Sequence, residues 1–247
     1  MNSNSPKLTL VGTVHRDPFG HQRLTTLLEQ LQPDLLTVEM SRYALHYRNT
    51  RGQSLQLRLE RILERLAADT DRPPEGLMTC QAVSDIHKLL EFPYEYRAAR
   101  EYADRRCCRL ELIDMANVSA LKLKRVESGL ISYRNLKILT ALPEDNLSPR
   151  QESYRTAQSL LLDDPAASVC AAFLRQRRGP EGVGPRDRAM AEQIRRLLQG
   201  IPGRHLVHIG GWVHLLADPR GETLFSRLSE FSPHRRLLVE PELRRPG

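Results

Sequence analysis

Two short segments carry the same arrangement of reactive residue and spacing, Gly12-Thr13-Val14-His15 and Gly211-Trp212-Val213-His214. Each follows an apolar run, Leu8-Thr9-Leu10-Val11 in the first case and Leu206-Val207-His208-Ile209 in the second. Apolar runs of this length bounded by glycine read as buried strands. A glycine at the strand end lets the backbone turn and lets other groups approach it closely. With 14 Gly and 8 His in 247 residues, chance supplies about half of one Gly-x-x-His match, so the spacing alone identifies nothing. Position carries the weight: both histidines follow the carboxyl end of an expected strand, where open α/β sheets bind their ligands.

Neutral imidazole binds zinc, manganese, cobalt or iron, and two histidines with one carboxylate leave positions open for water and substrate. A water bound there, its pKa lowered, is a nucleophile at neutral pH. Glu39, at the end of Leu35-Leu36-Thr37-Val38-Glu39, is the carboxylate that joins His15 and His214 as an expected ligand. Alternation puts Leu35, Thr37 and Glu39 on one face, where a carboxylate is costly unless it meets a metal, an arginine or hydrogen-bond donors. The plainer alternative is a strand-end glutamate turned to solvent. Without a metal, His15 is a candidate general base oriented by Glu39.

Two further acids lie near expected element ends. Asp114 closes Leu110-Glu111-Leu112-Ile113-Asp114 and reads either as a group at the same sheet edge or as the N-cap of a helix beginning around Ala116 to Ser119. Glu95 and Arg97 open a helix, where a first-turn glutamate commonly serves the helix dipole. His21, His46, His87, His205 and His234 read as structural histidines, and His208 as packed within the core.

Those candidates need a sheet to bring them together. Five runs read as strands: Leu8 to Val11, Leu35 to Glu39, Leu110 to Asp114, His205 to Ile209 and Arg236 to Val239. Helical patterns separate them at Gln22 to Gln32, Leu55 to Ala68, Ala82 to Leu90, Glu95 to Arg106, Ser119 to Leu139, Gln151 to Leu162, Ala166 to Arg177 and Arg186 to Gln199. The stripe Leu55, Leu59, Ile62, Leu63 and Leu66 is core packing. Strands alternating with helices predict an α/β fold. The stretch between Asp114 and His205 is helical throughout, which predicts a helical insertion or cap at about 116–200 within a single domain spanning 1–247.

Composition narrows the function classes. Apolar residues make up 40% and charged residues 27%, as in ordinary globular chains. No apolar run approaches the roughly 20 residues that span a bilayer, and the opening residues lack signal-peptide regions, so a cytoplasmic location with no membrane span is the expectation. Cys80, Cys107, Cys108 and Cys170 have neither zinc-ribbon nor disulfide-scaffold spacing. The net charge of +7 invites an anionic partner, yet the arginines are dispersed and lack interleaved aromatics, which argues against nucleic acid. There is no His-Glu-x-x-His, Gly-x-Ser-x-Gly, Walker or Gly-x-Gly-x-x-Gly motif.

Taken together, Gly12-Thr13-Val14-His15, the proline-led strand Pro33 to Glu39, Glu95-Tyr96-Arg97-Ala98-Ala99, the strand-end Asp114, Arg186-Asp187-Arg188-Ala189-Met190 and Gly211-Trp212-Val213-His214 resemble, in order, the motifs of the TraB/PrgY and TIKI family. That family belongs to the wider group that includes ChaN and the erythromycin esterases. Met115 stands where TraB-like sequences commonly carry arginine. The resemblance implies an α/β fold with a mixed central sheet flanked by helices. It also implies divalent-metal-dependent hydrolysis of a peptide or amide substrate, with manganese, cobalt or zinc at His15, Glu39 and His214. Arg186 then orients Glu39 or stabilises a developing oxyanion; the alternative is an exposed helix start. Two other activities within the group remain open, regulatory peptide binding without cleavage and binding of haem or another small ligand.

Overall fold

A computed structural model of the chain describes residues 6–142, 149–163, 165–200 and 203–239. Along the chain run β1 (Lys7–Thr13), α1 (Gly20–Leu31), β2 (Leu35–Val38), α2 (Arg42–Thr70), α3 (Pro74–Met78), α4 (Gln81–Leu90), α5 (Tyr94–Arg106), β3 (Arg109–Leu112), α6 (Ala116–Arg125), α7 (Tyr133–Leu139), α8 (Pro149–Leu161), α9 (Ala167–Arg175), α10 (Pro185–Gln199), β4 (His205–Gly211), α11 (Leu224–Arg227) and β5 (His234–Leu237). They fall into two compact units, Met1–Glu39 with Tyr94–Ile113 and Pro149–Gly247, and Met40–Pro93 with Asp114–Ser148.

The first unit is an α/β structure around one five-stranded sheet of order β3-β2-β4-β1-β5. Each pairing is parallel. The mixed sheet implied by the family resemblance is therefore not what forms. An antiparallel neighbour can be joined by a tight hairpin, whereas each of these strands is followed by helix before the next begins, the connection parallel strands require. The middle strands β1 and β4 are buried along almost their whole length, which explains why both read as continuous apolar runs. The edge strands β3 and β5 carry Arg109, Glu111, Arg235 and Arg236 and are partly exposed, charges that discourage pairing with another chain.

Leu8, Leu10, Leu35 and Leu206 pack with Met190, Ala191 and Ile194 of α10 in one core cluster. Val14 and Trp212 pack with Leu160 of α8 and Leu174 of α9 in another. Register then fixes the sheet end. Gly12 pairs with Gly210 and Thr13 with Gly211, while Val38 pairs with Ile209. Thr13, Glu39 and Gly211 thus stand side by side at the carboxyl ends of three adjacent strands.

The second unit is helical. Its longest element, α2, runs 29 residues, starting well before the expected Leu55 because the Ser41 hydroxyl caps it by accepting from the Ala44 N–H at 3.0 Å. Leu55, Leu59, Leu63 and Leu66 are its buried stripe. The helix expected from Ser119 to Leu139 is interrupted by a π turn over Val126–Leu130 and restarts at Ser132, whose hydroxyl accepts from the Asn135 N–H. Of the helices within 116–200, α6 and α7 belong to this unit, whereas α8, α9 and α10 belong to the first.

Candidate functional site

The first histidine follows β1 in a turn, with its side chain 55% exposed. Its Nδ1 lies 2.8 Å from Glu95 Oε1. Glu95, in the first turn of α5, is 4% exposed and also meets the Thr13 hydroxyl at 3.0 Å. That hydroxyl lies 3.1 Å from the Gly210 carbonyl as well, tying β1, α5 and β4 to one point. Next in sequence, Tyr94 donates to the Val14 carbonyl at 3.1 Å, which holds the start of α5 against the turn that carries His15. Glu95 is thus a partner of His15, and the helix-dipole role does not exhaust it.

Glu39 is turned inward, its side chain 5% exposed, so the solvent-facing alternative does not hold. Its backbone N–H continues the sheet by donating to the Ile209 carbonyl at 2.9 Å. Oε1 accepts from Arg186 Nη2 at 2.6 Å, and Oε2 accepts from the Gly211 N–H at 2.6 Å. His214 Nε2 stands 3.4 Å from Oε1. Burial pushes the Glu39 carboxyl pKa up, but the charges of His214 and Arg186, the His214 hydrogen bond and the charge of His15 outweigh it. They hold the group well below the usual carboxylate range.

Arg186 is not an exposed helix start: it is 6% exposed at the second residue of α10. The next residue, Asp187, is fully buried and gathers three donors. Its Oδ2 accepts from the Gly184 N–H at 3.1 Å, the reach-back of a helix-capping acid. Its Oδ1 accepts from the Leu224 N–H at 2.6 Å and lies 2.7 Å from His214 Nδ1.

His214 sits in a short 3-10 helix, Trp212–Leu215, and is 6% exposed. Burial lowers its pKa, yet the charges of Glu39 and Asp187 and the hydrogen bonds to both raise it to about 10. For His15, partial desolvation of the half-exposed ring lowers the pKa, and the Glu95 hydrogen bond, the Glu95 charge and the Glu39 charge raise it further than that.

The two Gly-x-x-His histidines thus share one device. A carboxylate sits on Nδ1 of each ring, Glu95 for His15 and Asp187 for His214, which fixes the ring and leaves Nε2 for other work. His214 Nε2 faces Glu39. His15 Nε2 lies 3.1 Å from the position a Cβ on Gly211 would take, and Glu39 Oε2 lies 3.5 Å from the same position. His214 thus meets Glu39 directly, whereas His15 Nε2 and Glu39 Oε2 each come up against the same backbone position at Gly211.

Asp114 belongs to the second unit. Its N–H donates to the Met40 carbonyl at 3.2 Å. The N-cap of α6 is Met115 and not Asp114, so the capping alternative is displaced by one residue. Asp187 and Gly210 were not among the candidates read from sequence. Asp187 lies beside Arg186 in a quoted motif, and an acid two residues after Gly-Pro is a helix-start signal; nothing in the sequence says that it faces a histidine.

The donor set bears on a metal ion. Two imidazole Nε2 atoms and a carboxylate are the donors a divalent transition ion takes, and Glu39 Oε2 keeps a second lone pair beyond the bond from the Gly211 N–H. Among the described residues, however, no three His, Cys, Asp or Glu side chains are grouped to hold an ion as they stand. The groups are closed on one another by hydrogen bonds. The His214 proton has to leave before Nε2 can act as a ligand.

Set against family models, curated proteins and solved structures, the chain matches none. Among the described residues no helix is long and apolar enough to cross a membrane. The fold and the cluster define a parallel α/β protein with a buried charged site at the carboxyl ends of its central strands.

Proposed function

We propose that the protein is a hydrolase of amide or peptide bonds, of the TraB/TIKI type, working with a divalent ion at His15, His214 and Glu39. The observation that carries this reading is the paired device at the sheet end: two histidines, each with a carboxylate on Nδ1, His214 with its Nε2 on Glu39, and His15 with its Nε2 against the Gly211 backbone that Glu39 also meets. Second groups on the far nitrogen of an imidazole are characteristic of rings that bind metal or move protons.

The roles divide by burial. Glu95 and Asp187 fix the rings and their tautomers. Arg186 holds Glu39 in place and offers its remaining donors to negative charge developing on a substrate oxygen. His15, more than half exposed, is the group that substrate meets first, while His214 stays enclosed. A divalent ion of manganese, cobalt or zinc type, held once the His214 Nε2 proton has left, would lower the pKa of a water and polarise the scissile carbonyl.

The test is metal content by mass spectrometry on tag-free protein, for wild type, His15→Ala and His214→Ala, with peptide turnover measured in parallel. One ion per chain lost in both variants, together with metal-dependent product, supports the reading. Turnover without any ion after incubation with manganese, cobalt and zinc replaces it with metal-free acid–base chemistry. Tight peptide binding with no product at long incubation replaces it with a binding protein.

A further inference from the structure

A third imidazole has the same partial commitment as the two just described. His208 Nδ1 lies 3.0 Å from the Thr37 hydroxyl. The ring is fully buried, and its Nε2 has no hydrogen-bond partner among the described residues. Burial keeps it neutral, lowering its pKa to about 4 against the opposing pull of Glu39. Alternation puts His208 and Gly210 on one face of β4, and Thr37 and Glu39 on the same face of the neighbouring strand.

These rows meet at Gly210. The position a Cβ would take there is 2.8 Å from His208 Nε2 and 2.8 Å from Glu39 Oε2. With no side chain at Gly210, a ring nitrogen and a carboxylate oxygen both close on the same stretch of backbone and lie near each other. Buried polar atoms are rarely left without a partner, and neighbouring buried polar atoms that do not bond each other directly are the kind an internal water bridges.

We propose that His208 is a positioning residue of this site, joined to Glu39 Oε2 through one enclosed water molecule beside Gly210. Water suits either ring tautomer: it accepts from an Nε2–H and donates to the carboxylate, or it donates one proton to each atom. With the Thr37 hydroxyl donating to Nδ1 the ring proton sits on Nε2 and the first arrangement holds; with Nδ1–H donating to Thr37 the second holds. Oε2 then has a second hydrogen bond beside that of the Gly211 N–H. Glu39 is held from the sheet by His208 and from α10 by Arg186. The inference rests on reading the cluster as one working site.

The experiment is a crystal structure of the full chain at a resolution that orders water, for wild type and His208→Leu, with kcat and KM of His208→Leu and His208→Gln on a fluorogenic peptide library with manganese. The expected result is a single water within hydrogen-bond distance of both atoms in wild type. In His208→Leu, kcat falls by roughly 10-fold or more at little changed KM, and His208→Gln recovers most of it. No such water, or a kcat unaltered by His208→Leu, overturns the proposal. If wild type shows no turnover, the hydrolase reading falls separately. The Glu39 carboxylate in the His208→Leu crystal then decides: turned from the Gly211 N–H it supports the proposal, unmoved it overturns it. Should His208→Leu not fold, the wild-type water and the His208→Gln kinetics decide alone.

Discussion

Asp187 Oδ1 lies 2.7 Å from His214 Nδ1 and accepts the Leu224 N–H at 2.6 Å, so one buried carboxylate orients the second histidine and anchors the start of α11. An Asp187→Asn protein retains the shape but loses the charge, and its amide cannot accept from all three donors. Hydrogen bonds to a charged group contribute about 1.5–3 kcal/mol each. A loss of about 2 kcal/mol or more in urea denaturation is expected, with the raised His214 pKa drawn back toward its ordinary value. An unchanged midpoint would show that the carboxylate is dispensable.

Arg186 and Glu39 form a buried pair at 2.6 Å. Breaking such a pair on one side typically costs about 3–5 kcal/mol, because a charge remains buried alone. Arg186→Met is therefore expected to destabilise strongly, and adding Glu39→Gln to it to restore part of the loss. Additive losses in this double-mutant cycle would contradict direct coupling of the two groups.

In metal-free protein the cluster makes stability depend on pH from both sides. His214 has a folded pKa of about 10, above its unfolded value of about 6.5. Its contribution is full below the unfolded value and is lost as pH rises through about 10. Glu39 is shifted the other way; its contribution is present above the unfolded value of about 4.3 and is lost as pH falls through its depressed folded value. The stability difference between wild type and His214→Gln should be greatest near pH 6 and shrink toward pH 10. A difference that stays constant over that range refutes the assignment of charge to His214.

Gly210 and Gly211 differ in how closely they are approached. A Cβ at Gly210 would lie 2.8 Å from Glu39 Oε2 and from His208 Nε2, whereas at Gly211 the nearest atom is His15 Nε2 at 3.1 Å. His208 and Glu39 are enclosed and His15 is half exposed, so only His15 has room to give. Gly210→Ala is expected to cost about 1–3 kcal/mol and Gly211→Ala less. Thermal denaturation showing the reverse order would mean that the buried groups yield more easily than the exposed one.

Much of this arrangement is legible in the sequence because parallel central strands announce themselves. Leu8 to Val11 and His205 to Ile209 are apolar on both faces, and Glu39 stands out as a carboxylate at the end of such a run. The α/β class, the strand positions and the convergence of His15, Glu39, Glu95, Arg186 and His214 in the first unit follow from that pattern and the motifs. What does not follow is what depends on geometry between distant segments. Nothing local distinguishes Asp187 from an ordinary capping acid or His208 from any core histidine, because their partners lie in other strands and helices. The π turn at Val126–Leu130 escapes as well, since so short a stretch establishes no period of its own between the two helices it separates.

The two histidine motifs are drawn together by β1 and β4, adjacent in the sheet although Thr13 and Gly210 lie 197 residues apart along the chain. This sets a timetable for biosynthesis. The emerging polypeptide holds His15, Glu39 and Glu95 with no opposing ring until Trp212–Leu215 has left the ribosome, and only then can the cluster close. Any chemistry that depends on both imidazoles is withheld from the nascent chain and begins only once the first unit's sheet has been closed from its middle.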